Sequence, residues 1–221
     1  MTLPRSSYVR EGEIAVYHCF NRCVRRARLC GFDPVTGRDF SHRKTWVVDR
    51  LRFLASVFAI DVCSFAVLDT HIHEVLRTRP DIAAAWSDRE VALRWLTLYP
   101  KKKNKLPLDR QISALTDSPD TIAELRNRLS SLSWFEARLH EHIARLANKE
   151  DNVKGKFWES RFKGEILLDD ASIVAGMVYV DLNLIRAGLA GTPEDSDFTS
   201  IQERIVIWQK NHLPQTSAPP D

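Results

Sequence analysis

Val62-Cys63-Ser64-Phe65-Ala66-Val67-Leu68 is followed by Asp69-Thr70 and then by His71-Ile72-His73-Glu74-Val75-Leu76-Arg77-Thr78. The first run is apolar and of strand length, Asp69-Thr70 is a turn signal, and the second run reads as another strand. Two adjacent antiparallel strands are the simplest arrangement. Side chains two apart on a strand share a face, so His71 and His73 project together while Ile72 turns into a core. That geometry suits a metal ion, but two imidazoles leave a divalent ion short of its usual coordination, so a third group must come from elsewhere. Taken alone the doublet is weak evidence, because two histidines on a strand are more often surface or hydrogen-bonded core residues. Glu74 shares the face of Ile72 and Leu76, which is expected to be buried. A buried carboxylate is costly unless paired, which leaves an arginine partner, a frayed strand end or a weakened site to explain it.

The chain of 221 residues, 44% hydrophobic and 28% charged, is long enough for one sizeable domain with an elaborate insertion. A net charge of +3 permits a nucleic-acid partner without demonstrating one. No apolar run reaches bilayer-crossing length and the first residues lack a signal-peptide core, so a cytoplasmic protein with no membrane partner is the default expectation. Cys19, Cys23, Cys30 and Cys63 match neither a paired zinc pattern nor a secreted disulfide framework and read as reduced structural thiols.

Ahead of the histidines, Ile14 to Phe20 is rich in β-formers and reads as a strand. Arg22, Arg25, Arg26 and Arg28 gather at its exit, where guanidinium groups can hold phosphates bidentately or simply be solvated. Trp46, Val47, Arg50, Leu51, Leu54, Val57 and Phe58 fall at helical spacing from a start at Ser41 or Thr45. Residues 81–150 read as a helical insertion: Asp88 to Leu98 is periodic, Lys101 to Lys105 is a charge run in a solvated loop, and Thr121 with Glu124 suggests a capping box opening one long helix through Leu146. His140 and His142 lie on that helix two apart, facing different directions, and do not form a second metal pair. Phe157 to Leu167 interleaves aromatics with charge, as single-stranded bases and phosphates require. The alternative is a core role, favoured for Phe162 and left open for Trp158. Asp169-Asp170 offers an N-cap for a helix carrying Tyr179 and Asn183, which are four apart and hence on one face, with Arg186 a further turn along and the helix ending near Gly188. Asn183 supplies the hard amide oxygen the histidines lack. Residues 211–221, rich in proline and polar residues, are expected to be a disordered tail.

Together these stretches resemble the HUH single-tyrosine transposases, in the branch called REP-associated tyrosine transposases or transposase IS200-like proteins. The resemblance runs from Tyr17-His18-Cys19-Phe20-Asn21-Arg22, through His71-Ile72-His73 and Gly155 to Lys163, to Tyr179-Val180-Asp181-Leu182-Asn183-Leu184-Ile185-Arg186-Ala187-Gly188-Leu189. It implies an α+β, ferredoxin-like antiparallel sheet with flanking helices. It also implies His71, His73 and Asn183 as ligands of Mg²⁺ or Mn²⁺, and Tyr179 as nucleophile. Arg22, Arg25, Arg26, Lys156, Arg161, Lys163 and Arg186 would then position single-stranded or hairpin DNA, with Trp158 a candidate for stacking, in a monomer or homodimer. The chain departs from the family at Thr70, where asparagine is usual, at Glu74, where an apolar residue is usual, and at Leu184, where proline is usual. Glu74 beside the metal could alter affinity or act as an extra ligand. His18 belongs to the family-like first strand and carries no role beyond a structural hydrogen bond.

The expected chemistry is strand cleavage and rejoining through a 5′-phosphotyrosine link. A phenol is a poor nucleophile at neutral pH, so such a site must hold it in line with phosphorus. The rivals are a DNA-hairpin-binding protein of the same fold without cleavage, and an unrelated metal-dependent phosphoesterase, which would need more ligands near the histidines than the sequence offers.

Overall fold

The computed structural model describes residues 8–24, 30–100 and 106–212. Arg25, Arg26 and Arg28, the Lys101–Lys105 run and the tail from residue 213 lie outside the described residues. The chain opens with β1 (Val16–Arg22), a small ribbon of β2 (Phe32–Asp33) and β3 (Arg38–Asp39), and helix α1 (His42–Val57). The strand pair read from the sequence follows as β4 (Ile60–Val67) and β5 (His71–Thr78), joined in antiparallel register. Helices α2 (Pro80–Ala85), α3 (Asp88–Leu98), α4 (Leu108–Thr116), α5 (Pro119–Ser130) and α6 (Leu132–Glu150) come next. The chain ends with β6 (Lys163–Leu167), α7 (Asp170–Asp181), the single turn α8 (Asn183–Arg186) and α9 (Ser200–His212).

The four long strands form one sheet in the order β4-β5-β1-β6, with antiparallel neighbours. This is the ferredoxin-like order, with α1 in the first crossover and α2–α6 in the second. Alternation divides the side chains between the sheet's faces. Tyr17, Cys19, Ile72, Leu76, Phe65 and Val67 face one way and meet α1 and α6 through Leu51, Leu54, Phe135, Leu139 and Ile143. Each fully buried side chain of this kind contributes about 1.5–3 kcal/mol. The opposite, front face carries Val16, Ala66, Leu68 and Val75 and receives Val180 and Leu184 from α7 and α8. Gly176 of α7 faces β6, where a Cβ would lie 2.9 Å from a methyl of Leu167 and turn that side chain aside.

Three local expectations change. The long helix from Thr121 to Leu146 is two helices. α5 is capped by Ser118, whose Oγ accepts from Thr121 N–H, and the chain breaks at Ser131 in extended conformation (φ −85°, ψ 123°). Adjacent serines compete with the helix for backbone groups: Ser130 Oγ donates to the Asn127 carbonyl, and Ala59 N–H takes the Leu129 carbonyl at 2.9 Å. The helix expected to carry both Tyr179 and Asn183 ends at Asp181, with Leu182 (φ −93°, ψ 9°) between it and α8. Its close is as expected: Gly188 takes a positive φ of 68°, Gly188 N–H donates to the Ile185 carbonyl and Leu189 N–H to that of Leu184. Finally, α9 runs to His212, so residues 211 and 212, placed in the tail by the sequence, are helical.

Candidate metal centre and tyrosine

His71 and His73 stand on the front face of β5, with ring centroids 5.0 Å apart. The register places His71 opposite Arg22 and His73 opposite Phe20 on β1. Each ring uses its Nδ1 within the protein: His71 Nδ1 is 2.8 Å from Thr70 Oγ1, and His73 Nδ1 is 2.9 Å from His18 Nε2. His18 Nδ1 in turn lies 3.2 Å from Glu165 Oε1 on β6. The tautomers this ladder requires run from a His73 Nδ1–H donor through His18 to an accepting carboxylate, leaving Nε2 of His73 as a lone pair. Burial, above all, pushes His71 down to about 4 and His73 to about 3; Arg22 contributes at both rings, and His71 and His18 add to the shift at His73. Both are therefore neutral at physiological pH, the state that ligates a cation. The donor set fits a divalent metal.

Tyr179 closes the front of this group from α7. Its ring centroid lies 5.5 Å from His18 and 5.8 Å from His73, and the residue is 37% exposed. The Arg186 guanidinium sits 4.6 Å from the centre of the tyrosine ring, a cation–π contact. Asn183 is buried at the first position of α8, one turn beyond Tyr179. The elements are pinned from behind by Asp181, whose carboxylate accepts from Ser64 Oγ of β4 at 2.7 Å, from Ser200 Oγ of α9 at 3.0 Å, and from Arg204. An aspartate at a helix C-terminus opposes the helix dipole, and this network offsets that cost.

Arg22, Lys156 and Arg161 are exposed, and Lys163 is partly so. Arg22 and Lys163 line a ≈230 Å³ groove with Phe20, Asn21, Glu159 and Ser160. Trp158 is not available to stack on a base. It is 9% exposed, forms an isolated bridge to Cys23, and donates its indole N–H to the His140 carbonyl at 2.9 Å. A large aromatic with a satisfied N–H is a core residue here. Phe162 is likewise buried, as expected.

Glu74 is not at the histidine pair. It points to the back of the sheet, fully buried, opposite Cys19 in the register and grouped with Glu136 and His140 of α6. Among the described residues no arginine pairs with it, and it lies mid-strand rather than at a frayed end. His18 and Glu165 are the site residues that sequence reasoning underrated. Their only signal was the alternation that puts His18 on the face of Phe20, and the pairing partner of β1 was needed to use it.

No family model matches the chain, and no curated protein does. Among solved structures, a REP-associated tyrosine transposase bound to a REP hairpin is similar in fold. The TM-score is 0.55 at 11% identity, over 100% of this chain and 94% of that one. No helix among the described residues is long and apolar enough to cross a membrane.

Proposed function

We propose that the protein cleaves and rejoins single-stranded or hairpin DNA through a covalent link on Tyr179, with Mg²⁺ or Mn²⁺ held by His71, His73 and Asn183. The observation that carries the reading is a partly exposed tyrosine ring 5.8 Å from a buried, neutral histidine whose Nε2 faces no hydrogen-bonding partner among the described residues. The fold likeness to a transposase that binds a REP hairpin supports it. The bound cation would act as a Lewis acid on phosphate oxygen and as a template for the strand.

The chain's own groups do the rest. Tyr179 Oη attacks the phosphorus; the new O–P bond forms as the P–O3′ bond breaks, and the phenol proton ends on the departing 3′-oxygen, directly or through water. The 5′ side is then tyrosine-linked and a 3′-OH is free, so a second 3′-OH can reverse the step without ATP. Arg186 orients the tyrosine ring, and Arg22, Lys156, Arg161 and Lys163, with Arg25 and Arg26, hold the backbone. The His18–Glu165 ladder fixes the His73 ring.

The test is incubation with labelled single-stranded hairpin DNA and Mn²⁺, followed by denaturing electrophoresis. A denaturation-resistant adduct that disappears in Tyr179→Phe is expected. An adduct that survives Tyr179→Phe removes Tyr179 from the role. Hairpin binding with no adduct under any metal supports the binding-only alternative.

A further inference from the structure

The back of the sheet holds a second group of ligating side chains, on the opposite side of β5 from His73. Glu74, Glu136 and His140 each offer an atom within 4.8 Å of the others. All three are buried, at 0%, 0% and 8% exposure. Both carboxylate oxygens of Glu74 are buried without a hydrogen-bond partner among the described residues, and so is Nε2 of His140. The other His140 nitrogen, Nδ1, is 3.2 Å from Glu136 Oε2. An orphaned carboxylate at zero exposure is among the costliest things a core can contain. Arg138, two residues from Glu136 on the same helix, pairs through Nη1 with Glu141 at 2.8 Å. A shared proton would explain the proximity of two carboxyls, but it would show as a hydrogen bond on Glu74, and none is present among the described residues.

We propose that Glu74, Glu136 and His140 form a second, structural divalent-cation site of the zinc class, independent of the front site. Two carboxylates and an imidazole are a zinc donor set, whereas Mg²⁺ and Ca²⁺ prefer oxygen ligands and, for Mg²⁺, retained waters that a dry core does not supply. Cys19 stands directly across the strand pair from Glu74, its thiol hydrogen-bonded to Glu136, and offers a further soft donor beside the cluster. Ligands on one zinc at about 2.0–2.2 Å lie little more than about 3 Å apart, so the three side chains close in by about an ångström or two on binding. A cavity of ≈540 Å³ that is lined by Lys156 and Arg161 also reaches Glu136 and His140, two of the three side chains. Such an ion would clamp α6 to β5 behind the histidine pair.

The experiment uses the full chain carrying His71→Ala and His73→Ala, stripped with chelator and titrated with Zn²⁺ by calorimetry, with Co²⁺ absorption as a second reading. One equivalent is expected to bind and to raise Tm. Adding Glu74→Gln, close in shape to the native residue, is expected to weaken binding by at least about tenfold, the lower end of what losing even an outer-shell partner does. Glu74→Leu should abolish it while raising the Tm of the zinc-free protein. No zinc binding by the double-histidine variant overturns the proposal, as does binding undiminished by both Glu74 substitutions. An equal Tm gain from Glu74→Leu with and without zinc also overturns it, because the cluster is then a plain buried carboxyl pair.

Discussion

His18 Nε2 lies 2.9 Å from His73 Nδ1, so a residue of β1 sets the tautomer of a candidate ligand on β5. Groups that hold a ligating histidine in this way are typically worth about 10–100-fold in metal affinity. His18→Ala is therefore expected to shift the Mn²⁺ dependence of adduct formation to higher concentration by about that factor, with the yield recovered at saturating Mn²⁺. Measuring adduct yield across a metal titration checks this. An unchanged midpoint would show that the contact positions nothing.

Asp181 is two residues from Tyr179 but faces the other way, into Ser64, Ser200 and Arg204. Asp181→Ala would remove the acceptor that Ser64 Oγ and Ser200 Oγ share with Arg204, at a cost of about 1–3 kcal/mol for each group left unsatisfied, with the Phe65 carbonyl, 3.3 Å from Ser200 Oγ, able to take over one of the hydroxyls. Denaturant unfolding should show a loss of about 2–3 kcal/mol overall. Adduct yield should fall even in conditions where the variant is fully folded, because the network sets where α7 rests on β4.

Arg43 is fully buried, with Nε 2.7 Å from Glu150 Oε2, Nη2 2.7 Å from Asp151 Oδ1, and its guanidinium over the Phe40 ring at 4.1 Å. Burial alone would raise the Glu150 carboxyl, but Arg43, followed by His42, more than reverses this, and the group is held below its usual 4.5. A carboxyl depressed in the folded state stabilises above the unfolded pKa, and that stability is lost as pH falls through the folded value. The wild type should thus lose stability on acidification from about pH 5 downward more steeply than Glu150→Gln. The two stability curves, from denaturant midpoints between neutral and acid pH, should converge at the acid end.

DNA affinity should depend on salt according to the number of phosphates neutralised. Alanine at Lys156, Arg161 or Lys163 is expected to reduce the slope of log K against log salt by about 0.7 each for single strands. Trp158→Ala should instead cost about 3–5 kcal/mol of stability, because it empties a core site. The conservative Trp158→Phe, which keeps the ring buried and loses the bond to the His140 carbonyl, should leave the salt slope unchanged.

What the sequence determined by itself is local and periodic. The β4–β5 pair, the extent of α1, the Asp169 cap of α7, the Gly188 stop and the shared face of His71 and His73 follow from alternation, helical spacing and capping chemistry within a few residues of one another. The partnerships across the sheet were decided only by the tertiary structure. Register between β1 and β5 put His18 behind His73, and closure of α6 onto the back face put Glu136 and His140 against Glu74. The first of those contacts joins residues 55 apart and the second joins two different elements, and a strand or helix pattern specifies which face a side chain takes but not what stands opposite it. For the same reason Trp158, ambiguous as a string of letters, became a core residue once the Cys23 bridge and the His140 carbonyl enclosed it. The two-residue period of the strand had already put Glu74 on the face away from the histidines, but its neighbours there, Glu136 and His140, came only with the packing of α6.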